Sequence, residues 1–289
     1  FGCLLMAYYF CLPRTLFEQP YSTVIESEEG ELLGAKIARD GQWRFPAQDS
    51  IPEKFKKCIV YFEDEHFYQH PGFNPIAMIK AVKQNHEAGK VVRGGSTLTQ
   101  QVIRLSRDGK KRSYFEKLIE LVLATRLEFR YSKEKIIELY AAHAPYGGNV
   151  VGLEMASWRY FGVQPHQLSW AETATLAVLP NAPSLIYPGK NQQRLLNKRN
   201  GLLKKLYEEK VIDKTTYELS ILEDLPQKPY VLPQIAPHLL QNVAKKEEGQ
   251  RIKTTVKFAL QNRVNQIAGQ YYNPVSYTHL RAHETLRYL

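Results

Sequence analysis

Apolar residues recur at helical spacing through most of the chain after Ser50. Phe55, Ile59 and Phe62 follow one another at intervals of three or four residues, which places them on one face of a helix. Ser50 and Glu53 have the spacing of a capping box, so this helix is predicted to begin at Ser50. The same periodicity predicts further helices over residues 75–88, 97–107, 114–130, 133–143, 151–161, 169–179 and 191–209. The predicted fold class is therefore mainly α.

The stretches on either side of this helical region have a different pattern. Before it, residues 14–49 combine short apolar pairs with Gly and Asp turns, which predicts a small β segment with a hairpin around Gly30. After it, four prolines between residues 226 and 237 mark a connecting segment, and residues 251–255 and 257–269 predict a strand and a short helix. The predicted division is a β/turn segment at 14–49, a helical domain at 50–225 and a linker region at 226–274.

The two ends of the chain differ from everything between them. The first twelve residues carry no charge and are too few for a bilayer span, which needs about 20. We interpret residues 1–13 as the remnant of an N-terminal transmembrane anchor; a buried N-terminal helix is the alternative. Residues 275–289 fit no pattern in the rest of the chain, and we interpret them as a non-native tail. Its His279 and His283 lack the Glu that a zinc protease places after the first His, so no metal site is predicted.

Composition restricts the class of partner more than the class of activity. The 289 residues carry a net charge of +10, which favours an anionic partner such as nucleic acid, a phospholipid surface or a phosphorylated substrate. No nucleic-acid-binding motif accompanies that charge, so no nucleic acid is expected. The chain has three cysteines and no Cys-x-x-Cys pair, which excludes a dense disulfide framework.

The first candidate for chemistry is Glu63, which directly follows the apolar run 59–62. One helical turn separates Glu63 from Ile59, so its carboxylate borders a buried stripe, and such a position raises the pKa of a carboxyl group. A raised pKa suits a general acid or base near neutral pH. Asp64 and Glu65 adjoin it, and spacing alone slightly favours the simpler alternative of a solvated acidic helix end.

The second candidate is the stretch 93–101, which reads RGGSTLTQQ. Its paired glycines allow a ligand to approach the backbone closely. Thr97 and Gln100 have capping-box spacing, and the free N–H groups of a helix start attract anions such as phosphate. The pattern predicts a phosphate-binding turn, with a plain glycine turn as the alternative.

The third candidate is cationic. Residues 104–117 contain six Lys and Arg residues against two acidic ones, which would attract anions strongly if they lay beside the glycine turn. The alternative is an exposed basic loop.

Glu120 is the fourth candidate, and it lies opposite an apolar stripe that includes Phe115, Leu118 and Val122. It either faces solvent or lines a cleft. Glu116 stands four residues away, and its like charge would raise the pKa of one of the two carboxyl groups.

These motifs together resemble the peptidoglycan glycosyltransferases (glycosyltransferase family 51), the polymerising module of class A penicillin-binding proteins. The resemblance covers about residues 40–210 and is carried by residues 63–72 (EDEHFYQHPG), 94–101 (GGSTLTQQ), 117–120 (KLIE), 135–140 (KIIELY) and 176–184 (LAVLPNAPS). Residues 40–44 (DGQWR) and 144–148 (APYGG) are most similar to the 1C subtype. The segment after residue 226 resembles the start of a transpeptidase domain that this chain lacks.

The resemblance implies a lysozyme-like glycosyltransferase domain acting on lipid II and a growing lipid-linked glycan, with inversion and release of lipid pyrophosphate. Glu63 would take the proton from the acceptor sugar 4-hydroxyl, and Glu120 would assist departure of the pyrophosphate. The implied substrate-binding residues are Phe67, Gly95, Ser96, Thr97, Gln100, Gln101, Arg104, Arg112, Lys117 and Tyr140. Among them Arg104, Arg112 and Lys117 would neutralise the pyrophosphate. No cofactor is required and no metal ligand is implied, although a divalent cation (Mg²⁺ or Mn²⁺) would fit beside the pyrophosphate.

The resemblance also implies a place in the cell. Members are anchored by a single span in the cytoplasmic membrane, with the catalytic domain on the periplasmic or extracellular side. That membrane and other cell-wall synthesis proteins are therefore the expected partners, besides the lipid-linked substrates.

Two departures from the family pattern leave alternatives open. Glu116 stands where the third motif usually has Arg, and Ala142 stands where the fourth usually has Asn. Both glutamates implied in catalysis are kept, so activity is expected. The alternatives are a weakly active or inactive scaffold that binds lipid II, or a lysozyme-like hydrolase of finished glycan.

Overall fold

The computed structural model describes residues 2–47, 50–89, 94–107 and 113–285, and this part of the chain is mainly helical, which confirms the predicted fold class. The helices are α1 (Gly2–Phe10), α2 (Glu53–Glu63), α3 (Pro75–Glu87), α4 (Leu98–Ser106), α5 (Tyr114–Arg130), α6 (Lys133–His143), α7 (Leu153–Phe161), α8 (Trp170–Val178), α9 (Gln192–Glu208), α10 (Lys214–Leu222), α11 (Pro237–Lys246) and α12 (Phe258–Thr285). The strands are β1 (Thr23–Glu26), β2 (Leu32–Lys36), β3 (Trp43–Arg44), β4 (Val150–Val151) and β5 (Arg251–Lys253).

Helix α8 is the centre of the large core. Seven of its nine residues are buried, because it packs against α2 on one side and α9 on another. A helix that is apolar nearly all round is stable only inside such a bundle. Ser169 and Glu172 form a capping box that fixes its start. The core around α8 therefore holds α2, which carries Glu63, in a fixed position.

The observed helices confirm most of the predicted boundaries and correct two of them. Thr97 caps α4 as predicted, accepting a hydrogen bond from the Gln100 backbone N–H. The predicted capping box at Ser50 is wrong, since α2 begins at Glu53 and its N-cap is Pro52. A residue before proline is disfavoured in the helical region, so the helix cannot extend back through Ile51. The helix predicted to end near residue 269 continues as α12 to Thr285.

A small sheet joins the two flanks of the helical region. β1 pairs antiparallel with β2 in the predicted hairpin and parallel with β5, so the sheet order is β2–β1–β5. Ile25, Leu33 and Ala236 form its own buried cluster, against which α11 packs. The predicted division into segments stays a prediction, but this sheet combines residues from the 14–49 and 226–274 segments.

Arg251 connects this sheet to the helical region. It pairs with Glu26 on β1 and with Glu154 on α7, and its guanidinium also donates to the Pro46 carbonyl. Burial raises the pKa of Glu154, and the paired Arg251 opposes that rise. A single side chain thus bridges strand, helix and loop.

The apolar stripe of α5 faces outward. Phe115, Leu118 and Phe129 are 70%, 58% and 77% exposed, whereas Glu120 on the opposite side is 7% exposed. An amphipathic helix normally buries its apolar face. The inward side of α5 carries Leu127, which is fully buried in the core, and Glu120, which lines the candidate site. The open choice for Glu120 is therefore settled in favour of a cleft.

Among the described residues, no helix combines the length and apolar content needed to cross a bilayer.

Candidate active site

Glu63 is the last residue of α2, and its carboxylate is largely shielded from solvent. Its Oε2 accepts a hydrogen bond from Gln101 Nε2 at 2.8 Å, while its Oε1 is buried without a partner among the described residues. Burial raises the pKa of Glu63, and the Gln101 hydrogen bond only partly opposes this. The carboxylate therefore holds a proton more readily than an ordinary Glu does.

Asp64, next to it, fixes the geometry between α2 and α4. Its carboxylate accepts from His70 Nε2 at 3.0 Å and from the Leu98 backbone N–H at 3.1 Å. The other ring nitrogen of His70 accepts from the Gly72 N–H, so the proton on Nε2 points at Asp64. Thr97 Oγ1 donates to the Gly72 carbonyl at 2.7 Å. These bonds tie the first and second sequence motifs together.

Gly72 is required at this junction. Its φ is +91°, and a Cβ there would lie 2.8 Å from the Ala124 carbonyl oxygen. Any side chain would therefore separate the motif from α5.

The start of α4 does not offer the free anion site that the sequence predicts. Its Leu98 N–H is bonded to the Asp64 carboxylate, and its Gln100 N–H is bonded to Thr97 Oγ1. The protein's own carboxylate therefore occupies this helix N-terminus. Attraction for an outside anion must come from cationic side chains instead.

Those side chains surround Glu120. Arg104 makes a bidentate pair with it, Nε to Oε1 and a guanidinium N–H to Oε2, both at 2.9 Å. Lys117 Nζ lies 3.5 Å from the same carboxylate and donates to Ser96 Oγ and Gln100 Oε1 at 2.7 Å. Burial would raise the pKa of Glu120, but Arg104 and Lys117 outweigh it and lower the pKa.

Glu116 does not act on Glu120 as the spacing predicted. Arg107 pairs with Glu116 at 2.8 Å, and Arg104 separately neutralises Glu120. The predicted rise in the pKa of one of these carboxyl groups is therefore wrong for Glu120, because each has its own arginine.

Two cavities meet at the glycine turn. The first, the Glu63 cavity, has a volume of about 450 Å³, and the second, the Glu120 cavity, about 560 Å³. Both are lined by Gly94, Gly95, Ser96 and Arg104. Glu63 and Glu120 thus open into neighbouring spaces that share one wall, with Arg104 at the boundary. This arrangement suits transfer between two substrates bound on either side of the turn.

Comparison with known proteins shows the family of the chain. A family model described as Transglycosylase matches residues 30–207. The chain belongs to the transglycosylase family. It is a transglycosylase domain homologous to the peptidoglycan glycosyltransferases of penicillin-binding proteins, as the motifs predicted.

The named relatives of the transglycosylase chain are penicillin-binding proteins. It is 34% identical over 257 residues to penicillin-binding protein 1C of Escherichia coli, covering 89% of this chain and 33% of that protein. It is 37% identical over 180 residues to penicillin-binding protein 1A of Aquifex aeolicus, covering 62% of this chain and 25% of that protein. The chain therefore spans a third or less of the length of these relatives.

A solved structure is also similar. Penicillin-binding protein 1A from Haemophilus influenzae matches 84% of this chain and 28% of its own, with 19% identity and a TM-score of 0.41.

The residues implied as substrate-binding fall into two groups in the transglycosylase structure. Those that line a cavity are Gly95, Ser96, Thr97, Gln101, Arg104 and Lys117. The others that the structure describes are buried and line neither cavity: Phe67, Gln100 and Tyr140. Arg112 lies outside the described residues.

The buried residues of this set pack next to residues of the site. Phe67 lies under Lys133, whose Nζ is 4.3 Å from the ring centroid. Tyr140 is 1% exposed and its hydroxyl has no partner among the described residues, while burial and the nearby Glu63 charge raise its pKa. Burial argues against direct contact of either ring with a substrate.

Sequence reasoning missed the wall opposite Glu63. Asn181 and Lys205 line the Glu63 cavity, and Lys198 donates to Asn181 Oδ1 at 2.5 Å. The neighbouring Arg199 is instead buried, and it donates to the Ile221 and Glu223 carbonyls at the end of α10. Lys198 and Arg199 are adjacent on α9, so they point to different sides of that helix. Only the direction in which each position of α9 faces could have predicted which of the two lies near the cavity.

The Glu120 cavity does not by itself fit a resident divalent cation. Its two carboxylates, Glu116 and Glu120, are each held by an arginine. Within the described residues there is no group of three His, Cys, Asp or Glu side chains that could hold a metal. Guanidinium groups already occupy the positions that a cation would need.

Proposed function

We propose that this chain polymerises lipid II into glycan strands, transferring the sugar with inversion and releasing lipid pyrophosphate. The observation that carries the proposal is the contrast between Glu63, which is desolvated and has no cation bonded to it in the described structure, and Glu120, which is clamped by Arg104 and Lys117. One side of the glycine turn is suited to hold a proton and the other to hold an anion.

Glu63 is the general base in this proposal. Its raised pKa brings it closer to neutral pH, which suits removal of a proton from the acceptor 4-hydroxyl. Oε1 has no partner in the described structure, so it is available to accept that hydroxyl. As the hydroxyl oxygen attacks the anomeric carbon, its proton passes to Glu63 and the carbon–pyrophosphate bond breaks on the opposite face.

The cationic side stabilises the leaving group. Arg104 and Lys117 are held in place by Ser96, Gln100 and Glu120 before any substrate binds. Preorganised charges of this kind lower the barrier because they need no rearrangement when negative charge develops. Glu120 keeps the two cations oriented toward the cavity.

The test is incubation of the purified, detergent-solubilised protein with lipid II. We expect glycan chains from the wild type and none from Glu63→Gln. Glu208→Gln makes the same chemical change on an exposed position of α9 and should leave polymerisation unchanged. Lipid II binding without turnover would select the scaffold alternative, and release of soluble muropeptides from lipid-free peptidoglycan would select the hydrolase.

We also propose that the domain lies on the outer surface of the cytoplasmic membrane. α1 is apolar and exposes Met6, Tyr9 and Phe10, and α5 exposes Phe115 and Phe129 nearby. Arg126 and Arg130 on α5 bond to backbone carbonyls of residues 9, 13 and 14, which fixes α1 beside α5. Flotation with phospholipid vesicles tests this: binding should fall when Phe115 and Phe129 are both changed to Ser.

A further inference from the structure

Two buried oxygen atoms beside the Glu63 cavity have no hydrogen-bond partner in the part of the chain that the structure describes. They are Glu63 Oε1 and the hydroxyl oxygen of Tyr140 on α6. Burial raises the pKa of Tyr140, and the negative charge of Glu63 raises it further, so the two groups are neighbours. Buried polar groups are normally bonded to protein or to ordered water. The two oxygens are therefore expected to share a partner.

A third oxygen with the same property lies close to Tyr140. The Tyr146 hydroxyl is buried and has no partner among the described residues, and Tyr146 also contributes to the raised pKa of Tyr140. A buried water typically makes about three hydrogen bonds to polar groups that would otherwise have none. One water is thus enough to satisfy the carboxylate oxygen and both hydroxyls.

The surrounding helices hold the carboxylate and the hydroxyl in place. Gln101 of α4 donates to Glu63 Oε2 at 2.8 Å, which fixes one side of the carboxylate. Helix α6 packs against the same α4, and the Tyr140 carbonyl accepts from the Ala144 N–H at 2.8 Å where α6 ends. Both groups are therefore positioned relative to α4, and neither is free to turn toward solvent.

We propose that Tyr140 is a positioning residue for Glu63: its hydroxyl donates to a buried water, and that water donates to Glu63 Oε1 and bonds to the Tyr146 hydroxyl. The positioning role rests on the proposed function. A phenolic hydroxyl is a donor and an ionised carboxylate only accepts, so the direction of the bonds is determined. A carboxylate oxygen has two lone pairs, so Oε1 keeps one acceptor position for the sugar hydroxyl.

The water gives the general base a second fixed side. Gln101 holds Oε2 and the water holds Oε1, so the plane of the carboxylate is set before a substrate binds. Hydrogen bonds to the ionised form also favour that form. Tyr140 therefore opposes, together with Gln101, the rise in the pKa of Glu63 that burial causes. This role replaces the substrate contact that the family resemblance implied for Tyr140.

Tyr140→Phe tests the proposal, because it removes the hydroxyl and keeps the ring. We would titrate Glu63 by NMR of its carboxyl carbon in protein carrying isotope-labelled glutamate, with the resonance identified by its loss in Glu63→Gln. The variant should raise the pKa of Glu63 by about one unit. The acid limb of kcat/KM should move to higher pH by the same amount, while the KM on the plateau stays unchanged.

The matched control is Tyr160→Phe. Tyr160 is also buried, but its hydroxyl donates to the Tyr146 carbonyl at 2.9 Å. The control should lower the melting temperature and leave the titration of Glu63 unchanged. Should Tyr140→Phe not fold, site-specific replacement of Tyr140 by difluorotyrosine keeps the shape and strengthens the donor, so the pKa of Glu63 should fall. The proposal is overturned if neither change at Tyr140 moves the titration, or if Tyr160→Phe moves it equally.

Failure of the two proposals is distinguishable, because the titration needs no lipid II. If the pKa of Glu63 responds to Tyr140→Phe but the wild type forms no glycan, the polymerase proposal fails and the link between the two residues stands. If glycan forms but Tyr140→Phe moves neither the titration nor the acid limb, the polymerase proposal stands and the link fails.

Discussion

Glu63 and Glu120 are the same residue type in opposite electrostatic states. Glu63 ends its helix, where burial raises its pKa, whereas Glu120 lies mid-helix between Arg104 and Lys117, which lower its pKa. Both line cavities that share the Gly94–Ser96 turn. The difference shows that the pKa of each carboxyl group is set by its burial and by the partners it contacts. Distinct pKa values are what allow two acids to divide proton transfer and charge stabilisation.

Glu63→Gln should have the largest effect and gives the strongest test of this contrast between the two glutamates. Removing the general base should lower kcat by about a thousandfold. Because folding raises the pKa of Glu63, the ionised carboxylate costs stability, and that cost disappears as pH falls through the folded-state pKa. The variant should therefore melt at a higher temperature than the wild type at neutral pH and not at acid pH. Calorimetric scans at both pH values check this; a lower melting temperature at neutral pH would contradict it.

Glu120→Gln should reduce activity by about a hundredfold, because Arg104 and Lys117 lose the group that orients them. Here the sign of the stability effect reverses. Folding lowers the pKa of Glu120, so its ionised form stabilises the protein above the unfolded-state pKa, and this is lost as pH falls through the folded value. Urea unfolding at neutral pH should show a loss of about 2 kcal/mol. An unchanged free energy of unfolding would mean that the pair with Arg104 contributes nothing.

Gln101→Leu sharpens the comparison because it should change the pKa of Glu63 and not that of Glu120. The Gln101 hydrogen bond lowers the pKa of Glu63, so its loss should raise that pKa further. The acid limb of the pH profile of kcat/KM should move to higher pH, while the alkaline limb stays in place. At slightly acid pH we expect about a fivefold loss of activity. A uniform loss at all pH values would instead indicate a role in substrate binding.

Glu116→Gln has the smallest expected effect, and unlike the other variants it should improve the reaction. Freed from Glu116, Arg107 adds a positive charge beside the Glu120 cavity, so the KM for an anionic substrate should fall by about twofold. The effect should weaken in high salt, because exposed charges are screened. Steady-state kinetics at two salt concentrations measure it; a raised KM would show that Glu116 itself contacts the substrate.

Local sequence patterns predicted the helices and the hairpin because those depend on neighbouring residues. Thr97 caps α4 for the same reason. The state of Glu120 could not be predicted, because Arg104 reaches it from another helix, and spacing suggested Glu116 as its main neighbour. The outward apolar face of α5 was equally hidden: periodicity identifies a stripe but not which side the rest of the fold covers.

The Asp64 link shows the same limit at the site. Its position beside Glu63 suggested a solvated acidic helix end, yet its carboxylate bonds to Leu98, thirty-four residues later. Such pairing depends on how α2 and α4 pack, which the large core decides. The glycine turn was predicted as a phosphate site on its helix start, but Asp64 bonds to that helix start, and Arg104 and Lys117 are the cations beside the turn.

Arg251 has a practical consequence for anyone trimming this chain. A fragment that stops at the last helix before the proline-rich connector would remove the arginine that pairs with the buried Glu154, and would leave β1 without a neighbour along one edge. A piece that keeps these contacts must run from the first strand through β5.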